Sequence, residues 1–165
     1  MSESIETLCK FISHGVYVIG VNDRHHQHAF TAAWVMQVSF EPLLLAFSIN
    51  PQHRSYAILK SGGQCSINVL GKDQQAIAAH FGTPGLLDKM AGFEWQHAKS
   101  SAPILSQALV YFDCVVSHFA PAGDHEIVVC NVLDARQLTR GVPLLYQETD
   151  NMDGASELYT DPLKN

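Results

Sequence analysis

The chain has 165 residues, 47% of them apolar, with 10 Lys and Arg set against 16 Asp and Glu for a formal net charge of −6. That length and apolar fraction suit one ordinary globular domain, here residues 1–165, with a sizeable core. The acidic balance excludes a nucleic-acid backbone as partner, which needs a basic face, and confines any anion site to a local patch.

The opening MSESIETLCK carries neither a basic n-region nor a long apolar h-region, so no secretory leader is expected and a cytoplasmic location is. No apolar stretch approaches the ~20 residues of a membrane span. Cys9, Cys65, Cys114 and Cys130 are widely spaced and form no C-x-x-C. Reduced, buried thiols are expected, not a redox pair or a zinc site.

Ile5, Leu8, Cys9 and Ile12 sit at helical spacing, which predicts a short amphipathic helix to about His14, stopped by Gly15. Gly15 to Val21 is β-branched and apolar on both faces and reads as a buried strand. Asn22 to His28 reads as a polar hairpin tip. His25, His26 and His28 lack the Cys or carboxylate spacing of a metal site and are expected to be solvated.

The run Ala29–Phe40 carries no charge and pairs back on the first strand. Its small residues Thr31, Ala32 and Ala33 would let a flat ligand approach the main chain. A turn at Glu41-Pro42 leads to a second apolar run, Leu43–Ile49. Asn50-Pro51 is then a helix-start signal, since Asn is a favoured N-cap and Pro a favoured first helical residue. Arg54 follows, the only permanent cation between Arg24 and Lys60. Free helix N–H groups beside a lone Arg make a natural anion site. If the helix begins after His53 instead, the donors shift toward Ser55 and Tyr56. An apolar platform joined to an anion site suits a flat ring carrying a phosphate.

Ser61-Gly62-Gly63 is a turn, Cys65–Leu70 an alternating strand, and Asp73 the predicted cap of a helix through Phe81, broken by Gly82-Thr83-Pro84-Gly85. Leu86–His97 looks irregular, with Met90, Phe93 and Trp95 as anchors. Ala108–Phe119 and His125–Asp134 form a hairpin. Asp113 is expected on its outer, solvent-facing side, as is Glu126. Pro143–Tyr146 is a short last strand, and the tail from Gln147 is polar, either disordered or draped over a partner subunit. About six mostly antiparallel strands with two or three helices point to a closed or partly closed barrel, because closure removes edges. No G-x-G-x-x-G follows a strand, so a nicotinamide nucleotide has no Rossmann site here.

The segments TAAWVMQVSFEPLLLAFSI, GGQCSINVL, SAPILSQALVYFDCVV, GDHEIVVCNV and PLLY occur in this order. Together they resemble the flavin reductase-like FMN-binding domain of the split-barrel superfamily, and most closely the versions found beside flavodiiron proteins. The resemblance implies a mainly β fold with short helices, a split β-barrel that forms a homodimer with FMN at the subunit boundary. FMN is expected in preference to FAD, with NAD(P)H as co-substrate and, as the further acceptor, free flavin released to a partner oxygenase, a metal centre or a redox partner protein.

It also places Thr31, Ala32, Ala33 and Trp34 along the ring, with Gln37 and Ser39 further on. The phosphate falls among Ser48, Asn50, His53, Arg54 and Ser55, and Phe81 lies near the flavin. Its Gly-Asp-His motif falls on Gly123, Asp124 and His125. His125, beyond a turn at a strand mouth, is the catalytic candidate, a positioner of nicotinamide and not a general base. Two departures stand out. Cys130 replaces a usual Gly and is expected to narrow the space there, and the tail lacks a Gly-x-Tyr ending. An NAD(P)H-dependent flavin reductase is the leading expectation. The alternatives are an FMN electron carrier without nicotinamide activity, and a cofactor-free interaction module.

Overall fold

A computed structural model describes residues 3–152, 154 and 157–159. Helix α1 (Ile5–Cys9) precedes an antiparallel pair, β1 (Tyr17–Asn22) and β2 (Gln27–Ala32), and a second pair, β3 (Val35–Ser39) and β4 (Leu44–Ile49). Helix α2 (Arg54–Gly62), strand β5 (Gln64–Val69) and helix α3 (Gln75–Gly82) follow. A small ribbon, β6 (Trp95–His97) with β7 (Pro103–Leu105), leads into the long hairpin of β8 (Val110–Ala122) and β9 (His125–Gln137).

The main sheet has seven strands in the order β2-β1-β5-β8-β9-β4-β3. Its two edges, β2 and β3, are consecutive in the chain and joined only by Ala33 and Trp34. A flat sheet of this width would hold its edges about 29 Å apart. The two-residue link reaches at most about 11 Å between strand ends. The sheet must therefore curl until its edges meet, which makes a split β-barrel. The Ser48 N–H donates to the Trp34 carbonyl at 3.2 Å and fastens the link to β4.

Two cores result. Inside the barrel, Ile19, Phe30, Phe47, Ile67 and Val128 pack with Ile58 and Leu59 of α2. Outside it, Val16, Val18, Ala29, Leu70, Phe81 and Leu105 pack beneath α3 and the small ribbon. Strand β1 serves both through its alternation, as its sequence implies. Ser66 Oγ donates to the Pro103 carbonyl, and Asn68 Oδ1 accepts from Leu105 N–H at 3.0 Å, so β7 is tied across the sheet.

Several expectations need correction. The run Ala29–Phe40 is two strands and not one, because uniform apolarity does not mark where the chain changes partner. Helix α1 ends at Cys9, and Phe11 and Ile12 are exposed. Helix α2 takes the later of its two expected starts, at Arg54 with His53 as N-cap, because Asn50 and Pro51 are used in a separate turn. Gln74, not Asp73, stands at the N-cap of α3, and its side chain accepts from the Gly71 N–H at 2.8 Å.

Asp113 is fully buried and accepts from the Ser100 N–H at 3.1 Å and from its hydroxyl, because residues 98–102 cover the face expected to meet solvent. Glu126 sits opposite Pro121, far along the hairpin, so the two carboxylates form no pair. The tail begins with a 3-10 turn, Tyr146–Glu148, and Met152 packs on the outer core. The expectation for residues 153, 155–156 and 160–165 falls outside the described residues.

A Cβ built at Gly20 would lie 2.2 Å from the Pro103 carbonyl, so β7 crosses β1 where a side chain is missing. Gly20→Val should lower stability by about 1–3 kcal/mol, read as a fall in the urea midpoint. An unchanged midpoint would mean that the ribbon does not rest on β1.

Candidate active site

A cleft of about 300 Å³ opens at the split. The end of β2 and the link supply Thr31, Ala32, Ala33 and Trp34. The end of β4 supplies Ser48 and Asn50, and His53 follows from the turn. Phe81 comes from α3 and His125 from the tip of the β8–β9 hairpin. The split thus gathers these predicted residues from five separate places. Gln37, Ser39, Arg54 and Ser55 do not line the cleft. Gln37 and Ser39 lie on β3, which has left for the other edge of the sheet. Arg54 is exposed on the first turn of α2, and Ser55 is fully buried behind it.

Each wall has a local cause. The Thr31 hydroxyl donates to the Ala78 carbonyl at 2.6 Å and clamps α3 to β2. Asn50 Oδ1 accepts from Gln52 N–H at 2.9 Å, and its carbonyl accepts from His53 N–H at 2.9 Å. That turn delivers His53 to the head of α2. Its Nδ1 accepts from Ser55 N–H at 3.3 Å, so the neutral ring carries its proton on Nε2. Burial, then the Lys89 charge, hold His53 below the ordinary histidine range. The first turn of α2 contains no acidic residue.

His28 corrects an expectation. It is buried in β2 and not on a solvated tip, because the strand begins at Gln27. Its Nδ1 lies 2.6 Å from Ser55 Oγ, and its ring stands 6.0 Å from that of His53. Burial is the main cause that lowers its pKa to about 4, helped by the charges of Lys89, His53 and Arg54. His25 and His26 remain exposed.

At the hairpin tip, the His125 ring packs against Trp34 with centroids 5.1 Å apart. His125 Nδ1 lies 2.7 Å from Asp124 Oδ1, and this bond holds the Asp124 carboxyl below its usual range. Gly123, at φ +65, makes the left-handed turn that brings this pair around. Cys130 does not narrow the cleft. It is fully buried in the inner core with Sγ 3.7 Å from that of Cys65, because its side chain points to the opposite face of β9 from His125.

The cleft is therefore a mostly apolar slot, with polar side chains at the approach to α2 (Ser48, Asn50, His53), at the hairpin tip (His125), and from Thr31 and Tyr146. That composition and size suit a small organic ligand. Residues 9–154 match the flavin reductase like domain. The chain belongs to that family.

FMN reductase (NADH) RutF 1 of Methylorubrum extorquens is 31% identical over 138 residues, spanning 83% of this chain and 69% of that protein. Diflavin flavoprotein A 1 of a Nostoc species is 32% identical over 125 residues, 73% of this chain but 22% of that protein. BorF, the flavin reductase component of a bacterial two-component tryptophan halogenase, superposes with a TM-score of 0.79 at 26% identity, covering 88% of this chain and 93% of that one.

The cleft of this flavin reductase-family chain also has walls that sequence reasoning missed. Phe30 and Ile49 form part of it, as do Tyr146, Met152 and Leu158 of the tail. Phe30 and Ile49 adjoin predicted residues on their strands, so the alternation was the signal for them. The tail offered no periodic signal.

An unfolded histidine titrates near 6.5, whereas folded His28 titrates at about 4. Between those values the unfolded chain takes up a proton that folded His28 does not, so stability falls as pH drops from 6.5 toward 4. His14 and His53, also lowered, act with the same sign. His28→Asn should flatten part of this slope in urea melts run from pH 7 to 4. An equally steep slope would show that His28 is not the group responsible.

Proposed function

We propose that this chain is an NAD(P)H-dependent flavin reductase that holds FMN in the cleft at the barrel split. The observation that carries this reading is the apolar slot whose polar groups gather at the head of α2 and at the hairpin tip. Ala32 and Ala33 give a ring access to the main chain. Trp34 and Phe81 wall it with aromatic surface and exclude water. At the head of α2, the His53 Nε2–H donates to a phosphate, in the field of the helix N-terminus. Arg54 makes no ion pair among the described residues and is free to reach that group from the rim. FMN, with one terminal phosphate, suits this single anion site better than FAD.

Bound flavin supplies the acceptor for a hydride from the nicotinamide and then hands two electrons to a second acceptor. His125 orients the nicotinamide from the hairpin tip, held by Asp124 and Trp34. The electron-carrier reading rested on Cys130 narrowing the nicotinamide space. With Cys130 in the core, no observation favours it. The second acceptor is a redox partner protein, in keeping with relatives named as a diflavin flavoprotein and as a reductase component.

We also propose a homodimer. Edge strand β3 and its flanks expose Met36 (63%), Val38 (44%) and Phe40 (89%), apolar surface of the kind that a second subunit covers. A cytoplasmic location agrees with four free cysteines.

Purified protein loaded with FMN and mixed anaerobically with NADH or NADPH should lose its flavin absorbance near ~450 nm within the mixing experiment. Full absorbance retained with both nucleotides would overturn the reductase reading. His125→Ala should slow this reduction on the order of 10–100-fold while FMN affinity holds. Collapse of FMN affinity with an intact reduction rate would reverse its assigned role. In light scattering, Phe40→Glu should shift the protein from dimer to monomer mass. A wild-type monomer would remove the dimer from the proposal.

A further inference from the structure

The end of the chain supplies three walls of the cleft that the proposed chemistry leaves unused, Tyr146, Met152 and Leu158. They are graded in depth. Tyr146 is 7% exposed, Met152 is half-buried and Leu158 is 79% exposed. The tail therefore climbs from the floor of the slot to its mouth.

Its base is fixed. The Tyr146 N–H donates to the His14 carbonyl at 2.9 Å, Lys72 pairs with Glu148 at 3.3 Å, and Lys10 Nζ donates to the Asp150 carbonyl at 2.6 Å. At Asp150 the backbone turns, with φ +51. Beyond it, the amides of Met152, Gly154 and Glu157 donate to the carbonyls of Thr149, Asn151 and Gly154, within the tail itself. What Met152 and Leu158 offer the body of the protein is apolar side chain. Met152 packs on the outer core, which includes the cleft walls Val16 and Phe81. An anchored base, a turn and a segment resting on apolar side chains make a strap and not a fixed wall. Such a segment opens at low cost, because few buried contacts oppose it.

Leu158 indicates what the strap closes on. It borders an apolar slot, yet most of its surface meets water, so it gains little from the slot when empty. It gains more once a flat ring fills the slot and offers it apolar surface. Met152, unbranched and flexible, suits a wall that must repack as a ligand enters.

We propose that Met152 and Leu158 are flavin-retaining residues: the tail closes over the mouth of the slot once the ring is bound and limits the rate at which the flavin leaves. This rests on the flavin reductase reading and deepens it. The flavin is then a retained cofactor and not a product released at each turnover.

The test uses the full chain loaded with radiolabelled FMN and chased with excess unlabelled FMN, the label held on a filter giving the dissociation rate. Met152→Ser combined with Leu158→Ser should speed dissociation about tenfold or more, with a smaller change in association. Movement of the tail is read separately, by glutamyl endopeptidase cleavage after Glu157, which is exposed. Saturating FMN should slow that cut at least about threefold in the wild type and not in the double variant, because proteolysis tracks the open population. A variant that releases FMN no faster than the wild type, or a wild-type cut whose rate ignores bound FMN, refutes the strap while the reductase reading stands. Failure of the wild-type chain to take up FMN overturns that reading and the strap with it. Should the double variant not fold, the wild-type cut decides by itself.

Discussion

The link of Ala33 and Trp34 holds together the two edges of a seven-stranded sheet, and the site is a consequence of that link. A sheet closed by its own hydrogen bonds would leave no gap. Here closure is covalent, through a link too short to let the edges drift apart and too irregular to let them pair along their length. What remains between β2 and β4 is a slot with main chain on its walls, lined by small side chains because the end of β2 and the link bring Ala32 and Ala33 to its rim. The fastening from Ser48 to Trp34 keeps the slot from opening further.

Much of this was legible before the structure, and the failures have identifiable causes. Strands β1, β4, β5, β8 and β9 announced themselves because burial on one or both faces imposes a period or a continuous apolar run. The cleft residues near Thr31 and His125 followed from small side chains on a strand and a Gly-Asp turn before another. His28 was misplaced because the hairpin is tighter than its polar composition suggests. A polar residue inside a strand looks the same as one in a turn until its partner, Ser55, is known. Asp113 was misjudged because alternation tells which face a residue takes but not whether a distant segment, here Ser100, covers that face. The start of α2 was displaced because Asn50 stabilises a turn by the same side-chain bond that it would use to cap a helix.

The two faces of β9 explain why one departure from the usual family pattern leaves the cleft intact. Val128 and Cys130 point into the barrel, where Cys130 meets Cys65. His125 stands on the opposite parity and meets Trp34. A side chain added at position 130 therefore fills the inner core. There hydrogen bonds with Cys114 and Cys130, and after them burial, push the Cys65 thiol well up, so this sulfur behaves as a small hydrophobe.

The electrostatics of the cleft follow from layering. Close to its wall stands His53, kept neutral by burial and presenting a donor without a full charge. Behind it, His28 is held neutral even more strongly and braces Ser55 at the head of α2. Were these two rings charged, both would repel Lys89, and His28 would repel Arg54 as well. Neutral rings let the permanent cations stand near one another at lower cost, with the helix end adding a field that needs no proton.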